Sequence, residues 1–373
     1  MTSRERLLRT LRREPVDRVP ISTYELNGYN PDSFENRHPS YKRLMDKIRA
    51  DTDCLYMWGW DAWAACPLWD GREERHEDGS ITYYARLRTP KGDLTKVQRR
   101  YPHVHTTWTT EHLLKTPEDI DRYLSVVRQL FCIDEKKVKA AVESYQIAEE
   151  RVGEHGIVMN SGGDPSAFVP DLFEFGLFTV MCCQHRDKIL ELIDAMKEPV
   201  YAKSKIEAEY KLGPVYRLCG PEYYTPPYLP KEYFEEMVVP GCTETIRILQ
   251  EGGIFVRLHC HGRIRNVLPL IVATGARGLD PIEPPPDGDI ELAEVKRLYG
   301  DRLVLFGNTE LKVLEHADAD EVEETVRRQM EAAKAGGGYV MMPTAAPITE
   351  PLPEKTERNY FVWIDAGLRY GGY

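Results

Sequence analysis

Apolar residues follow two rhythms along this chain: short β-branched runs closed by Gly, Pro, Asp or Asn, and longer stretches with apolar positions at helical spacing. The helical stretches carry their own start signals. Thr2 and Glu5 make a capping-box pair ahead of Leu7, Leu8 and Leu11. Thr116, Pro117, Glu118 and Asp119 set a cap, a first-position proline and acids at one helix start. Asp134 opens a helix that Gly153 closes, and Ile189, Leu190, Leu192 and Ile193 mark an apolar face after Asp187.

Eight runs read as strands: 19–23, 55–58, 157–160, 215–219, 254–259, 278–283, 303–306 and 339–342. From the third onward they are near-continuously apolar, as strands covered by helices on both approaches must be. Strands alternating with helices predict a single α/β domain over 1–373, a (β/α)8 TIM barrel. No GxGxxG follows the first strand, which argues against an open dinucleotide-binding sheet. Residues 76–100 break the rhythm with alternating positions around Asp78-Gly79-Ser80 and Thr89-Pro90-Lys91-Gly92, and predict an inserted β-hairpin over the barrel mouth. Tyr223 to Tyr228, rich in proline and tyrosine, reads either as a second lid or as ordinary surface packing.

Composition narrows the function classes. Lys and Arg number 49 against 60 Asp and Glu, a formal charge of −11, which disfavours a grip on nucleic-acid phosphates. No stretch approaches the roughly 18 apolar residues of a membrane span, and the charged N-terminus lacks the apolar core of a secretory signal. Eight cysteines at irregular spacing, with no CxxC, read as reduced thiols in a cytoplasmic protein.

In a barrel the carboxyl ends of the strands converge on one pocket. The polar residues there are Tyr24, Glu25, Asn160, Asp164, Glu222, His259, His261, Glu283, Asn308 and Glu310. Singly, Tyr24, Asn160 and Glu310 read as the polar start of a loop. His259-Cys260-His261 is different, because residues i and i+2 at a strand end face the same side. Glu283 closes the next strand, about 4.8 Å away across a sheet. Two imidazoles and a carboxylate suit zinc or another divalent ion with an open position; the alternative is that both histidines bind substrate or each other without metal.

The opening Ser3-Arg4-Glu5-Arg6-Leu7, then Glu14-Pro15-Val16-Asp17-Arg18-Val19-Pro20, and later Phe306-Gly307-Asn308, resemble the uroporphyrinogen decarboxylase superfamily over nearly the whole chain. The nearer likeness is to its corrinoid-dependent methyltransferase branch, which includes methylcobalamin:coenzyme M methyltransferases. That resemblance implies zinc held by His-x-Cys and a late Cys, and a corrinoid carried by a partner protein. Here His261 stands in the Cys place, Glu283 lies 22 residues beyond it, and Ala345 or Ala346 stands where the late Cys belongs. A harder His259, His261 and Glu283 set implies an O- or N-methyl small-molecule donor rather than thiol chemistry. Glu222, Asn308 and Glu310 would then act in catalysis, while Tyr24, Asn160, Asp164 and Tyr223 bind substrate.

Two other readings stay in view. One is a decarboxylase of a tetrapyrrole or aromatic acid, although no arginine precedes Arg37 in the region where that enzyme holds its propionates. The other is a non-catalytic corrinoid- or substrate-binding barrel. Self-association as a homodimer is compatible with all three.

Overall fold

Seven parallel strands carry the architecture. In chain order, β1 (Cys54–Met57) leads into an antiparallel insertion of β2 (Trp69–Arg75), β3 (Ile81–Leu87), β4 (Leu94–Arg100) and β5 (Trp108–Glu111). The chain then resumes with β6 (Gly156–Gly163), β7 (Val215–Cys219), β8 (Phe255–Cys260), β9 (Gly278–Pro281), β10 (Val304–Thr309) and β11 (Tyr339–Pro343). The main sheet runs β1-β6-β7-β8-β9-β10-β11, every pair parallel. Helices intervene between its strands, and β8, β9, β10 and β11 are buried at every position. This computed structural model describes residues 1–373.

The expected eighth strand, 19–23, does not form. Only Ile21 bridges, in parallel, to Met341 of β11, flanked by Met341 N–H to Pro20 O and Ser22 N–H to Met341 O at 2.9 Å each. The carbonyl of Ile21 also accepts from Asp53 N–H, next to β1, at 2.7 Å. The two edges of the sheet therefore meet one short segment, and the sheet curls. Pro20 lacks an N–H and Tyr24 turns away at φ +58, which leaves no room for a full ladder. The fold is a curled seven-stranded parallel α/β sheet, not the eight regular strands expected.

The insertion is larger than the hairpin expected over 76–100. That hairpin is its centre, β3 paired with β4, and β2 and β5 add an outer strand on each side. Its descending arm clasps the loop after β11. Val104 bridges Thr349, His105 N–H reaches Ile348 O at 2.8 Å, and His105 Nε2 lies 2.9 Å from Glu350 Oε2.

The helix starts obey their sequence signals. Thr2 accepts from Glu5 N–H at the head of Ser3–Leu11, Thr116 and Asp119 form a reciprocal box at Pro117–Leu124, and Asp134 caps Glu135–Val152. A cluster of 77 buried apolar residues, from Leu7 to Ala366, joins these helices to the sheet.

Gly307 has a steric reason to be glycine. Its φ is +147, and a Cβ there would lie 2.2 Å from the carbonyl oxygen of Pro281 on the neighbouring strand. Gly307→Ala is expected to cost about 3 kcal/mol, read as a drop in the midpoint of urea unfolding with the slope unchanged.

Candidate active site

Strand register brings four charged or polar side chains onto one face of the sheet. Arg217 on β7 lies opposite Arg257 on β8, and His259, two residues beyond Arg257, lies opposite Asp280 on β9. Arg257 and Asp280 are fully buried, and His259 and Arg217 nearly so. The imidazole of His259 is bonded on both sides: Nδ1 is 2.6 Å from Asp280 Oδ2, and Nε2 is 3.0 Å from Arg217 Nη2. A guanidinium only donates, so Nε2 accepts and the proton resides on Nδ1, facing the carboxylate. His259 is thus neutral, and burial pushes it down to about 4 against the pull of Asp280. Burial alone would raise Asp280, but Arg257 and then His259 hold it at about 2. The same Arg217 Nη2 donates to the hydroxyl of Tyr24.

Arg257 is less well served. Its Nε is 2.8 Å from Asp280 Oδ1 as an ion pair, at an angle too oblique for a hydrogen bond. Nη1 donates to Met342 Sδ at 3.5 Å, the group lies 4.9 Å from the centre of the Phe306 ring, and Nη2 has no partner. Arg217 Nε also lacks one.

A second tier lies towards the strand ends. His261 stands edge-on to His259 with ring centres 4.5 Å apart. Its Nδ1 is 2.8 Å from Glu283 Oε1, while Glu283 Oε2 accepts from Gly262 N–H at 2.6 Å. Burial opposes the charged ring, but the bond and charge of Glu283, with the charge of Glu222, raise His261 above its ordinary value. Glu283 is held low despite burial by that same imidazole. Burial pushes Glu222 up, and its Oε2 accepts from Gly220 N–H at 3.1 Å. Cys260 faces the core, and Cys219, at the end of β7, is held as a thiol by burial, pushed up to about 12.

The other expected residues fall elsewhere. Asn160 turns to the outer helix Arg186–Glu209, where its Nδ2 donates to the buried Glu207 at 3.0 Å. Tyr223 packs its edge against Phe175 at 5.8 Å. Asn308 spends its amide on Ile282 O at 2.9 Å, and Glu310 lies 3.2 Å from Lys312 Nζ, its carboxyl pushed up to about 7 by burial and then Asp287. Asp164 is buried behind the sheet, accepting from Ser166 Oγ at 2.9 Å, with the helix Val239–Glu251 against it.

Burial pushes Asp164 up to about 7 from the ordinary 3.8. The folded chain then binds a proton that the unfolded chain has lost, so stability falls as pH rises from about 4 to about 7. The fall amounts to at most about 4 kcal/mol. Asp164→Asn is expected to flatten this slope in melting temperature measured from pH 4 to pH 8.

A divalent cation does not fit the expected His259, His261 and Glu283 set. The His259 lone pair is taken by Arg217, a second guanidinium lies one residue pair away, and both Glu283 oxygens serve His261 and Gly262. No three His, Cys, Asp or Glu side chains gather as a ligand set anywhere in the chain. The two imidazoles converge, but in this arrangement they do so around an arginine.

The family model described as uroporphyrinogen decarboxylase (URO-D) matches residues 110–357. The chain belongs to the uroporphyrinogen decarboxylase family. Among solved structures, a methyltransferase from Methanosarcina mazei is similar over 99% of each chain at 15% identity, with a TM-score of 0.57, and so shares the fold of this family member. A D-psicose 3-epimerase from Clostridium cellulolyticum H10, solved with D-tagatose, aligns over 63% of this chain and 84% of its own at 10% identity and a TM-score of 0.37, too low to carry weight. No protein of curated function matches.

Arg217, Arg257 and Asp280 were not foreseen. The signal was present: a charge in the middle of a buried, otherwise apolar strand needs a partner of opposite sign. Reading only the strand ends passed over it.

Proposed function

We propose that this member of the uroporphyrinogen decarboxylase family removes a methyl group from an O- or N-methyl small molecule and passes it to a corrinoid carried by a separate protein. The observation that supports it is the pair of imidazoles 4.5 Å apart, one bonded to Arg217 and lowered by burial, the other raised against burial by its bond to Glu283. Environments that push two titratable groups apart divide acid from base. His261 is the acid: its Nδ1 is anchored and its Nε2, engaged by no protein group, delivers a proton to the leaving oxygen or nitrogen. The electron pair of the broken bond to the methyl carbon stays on that atom, so protonation there lowers the barrier. His259, fixed by Asp280, positions Arg217 and Tyr24 around the substrate. The docked corrinoid would supply the nucleophile, and no step by this chain's residues requires a metal.

Decarboxylation of a small acid is the second reading, and the buried Arg217 and Arg257 favour it. One assay separates the two. Methoxybenzoates and methylamines are incubated with the protein and excess free cob(I)alamin, following loss of the cob(I)alamin spectrum and release of carbon dioxide in parallel. Methyl transfer without carbon dioxide is expected; carbon dioxide without methyl transfer would replace the first reading by the second.

A further inference from the structure

We infer that the two buried arginines form a subsite for a single carboxylate of the ligand, at the place where the likeness to zinc methyltransferases leads one to expect a cation. This deepens the proposed function by naming a substrate class, and it rests on that reading only for the claim that the ligand is a substrate. The charges carry the argument. Arg217 and Arg257 bring two positive charges to adjacent positions on β7 and β8, and only Asp280 answers them from within the protein. Glu25 is the next nearest anion, 3.5 Å from Arg217 Nη1, with a side chain 44% exposed. Three donors make no hydrogen bond in a place that solvent does not reach: Arg217 Nε, Arg257 Nη2 and Arg257 Nε, the last of which has only its ion pair to Asp280.

An unpaired guanidinium donor in the interior is costly, and a carboxylate is the group whose paired oxygens meet such donors best. The same arrangement repels a divalent ion. A monoanion completes the charge balance; a neutral ligand can accept from a donor but leaves the second positive charge unanswered. Arrival of the carboxylate displaces Glu25 from Arg217 and puts the rest of the ligand beneath His261, at the outer tier. Selectivity for acids then belongs to the sheet itself and not to the loops above it.

Calorimetric titration of the full chain with benzoate, and with benzamide as its neutral counterpart, tests this. Benzoate is expected to bind at one site per chain, benzamide about tenfold more weakly or worse, and Arg217→Gln and Arg257→Gln to lose about tenfold in benzoate affinity. Because a buried arginine variant can fail to fold, Glu25→Gln, at a half-exposed position, is the control: removing the competing carboxylate tightens benzoate severalfold. Benzamide binding as tightly as benzoate, Glu25→Gln binding no tighter than the parent, or one zinc per chain lost in His259→Ala would each overturn the subsite. None of these readouts needs turnover, so failure of the methyl-transfer assay leaves them standing, and their failure leaves that assay to be judged by its own products.

Discussion

Asp53→Ala lowers the free energy of unfolding by about 3–5 kcal/mol, the loss expected when one partner of a buried ion pair is removed. Asp53 is completely buried just before β1 and is bonded three ways. Oδ1 meets Arg6 Nη1 at 2.5 Å, Oδ2 meets Arg18 Nη1 at 2.6 Å, and Oδ2 also accepts from Ile21 N–H at 2.9 Å. Arg6 in turn grips Asp17 with Nε and Nη2 at 2.7 and 2.8 Å. Alanine leaves Arg6, 6% exposed, facing an empty space with its charge half-answered. It also frees the segment that joins the two edges of the sheet. Denaturant unfolding of Asp53→Ala and Asp53→Asn measures this, with asparagine retaining part of the bonding and falling between. A loss below about 1 kcal/mol, the level of an exposed pair, would mean that the network is ornamental.

His261→Gln should cut turnover by about 100- to 10,000-fold, the range for removing a positioned proton donor. Benzoate affinity should change little, since His261 is bonded to Glu283 and to neither arginine. Glutamine fills similar space and keeps a partner for Glu283, so folding is preserved, as unfolding curves of the variant will show. Single-turnover measurement of methyl release separates the chemical step from binding. If the variant turns over at the parent rate, the proton comes from elsewhere and the two-imidazole mechanism falls.

The elements that were legible in the sequence are those set by local rules. Thr2, Thr116 and Asp134 each announced a helix that forms, because a cap needs only its own first turn. The two histidines could be placed on one face because strand alternation is local as well. What failed was what depends on the neighbouring strand. Residues 19–23 have strand composition, yet Pro20 and the turn at Tyr24 leave a single bridge there. Glu283 lies beside His261 as expected, but it spends its second oxygen on Gly262 N–H, and the Nε2 partner of His259 is Arg217, from two strands before Glu283. The likeness of the opening residues to the family also takes on a physical meaning. Arg6, Asp17 and Arg18 are the three side chains that tie the first helix and the linking segment to Asp53.

The clasp between the insertion and the loop after β11 has a consequence for biosynthesis. His105 meets Glu350 across 245 residues of sequence, so the insertion can fold as a local antiparallel unit long before its anchor exists. On the ribosome, the nascent chain carries that unit without this anchor until Glu350 has emerged. The link between the insertion and the loop after β11 is thus a late one to lock. Trp69 and Trp108 of the insertion stay exposed after the clasp closes, so the anchor fixes the unit's place without covering its aromatic surface.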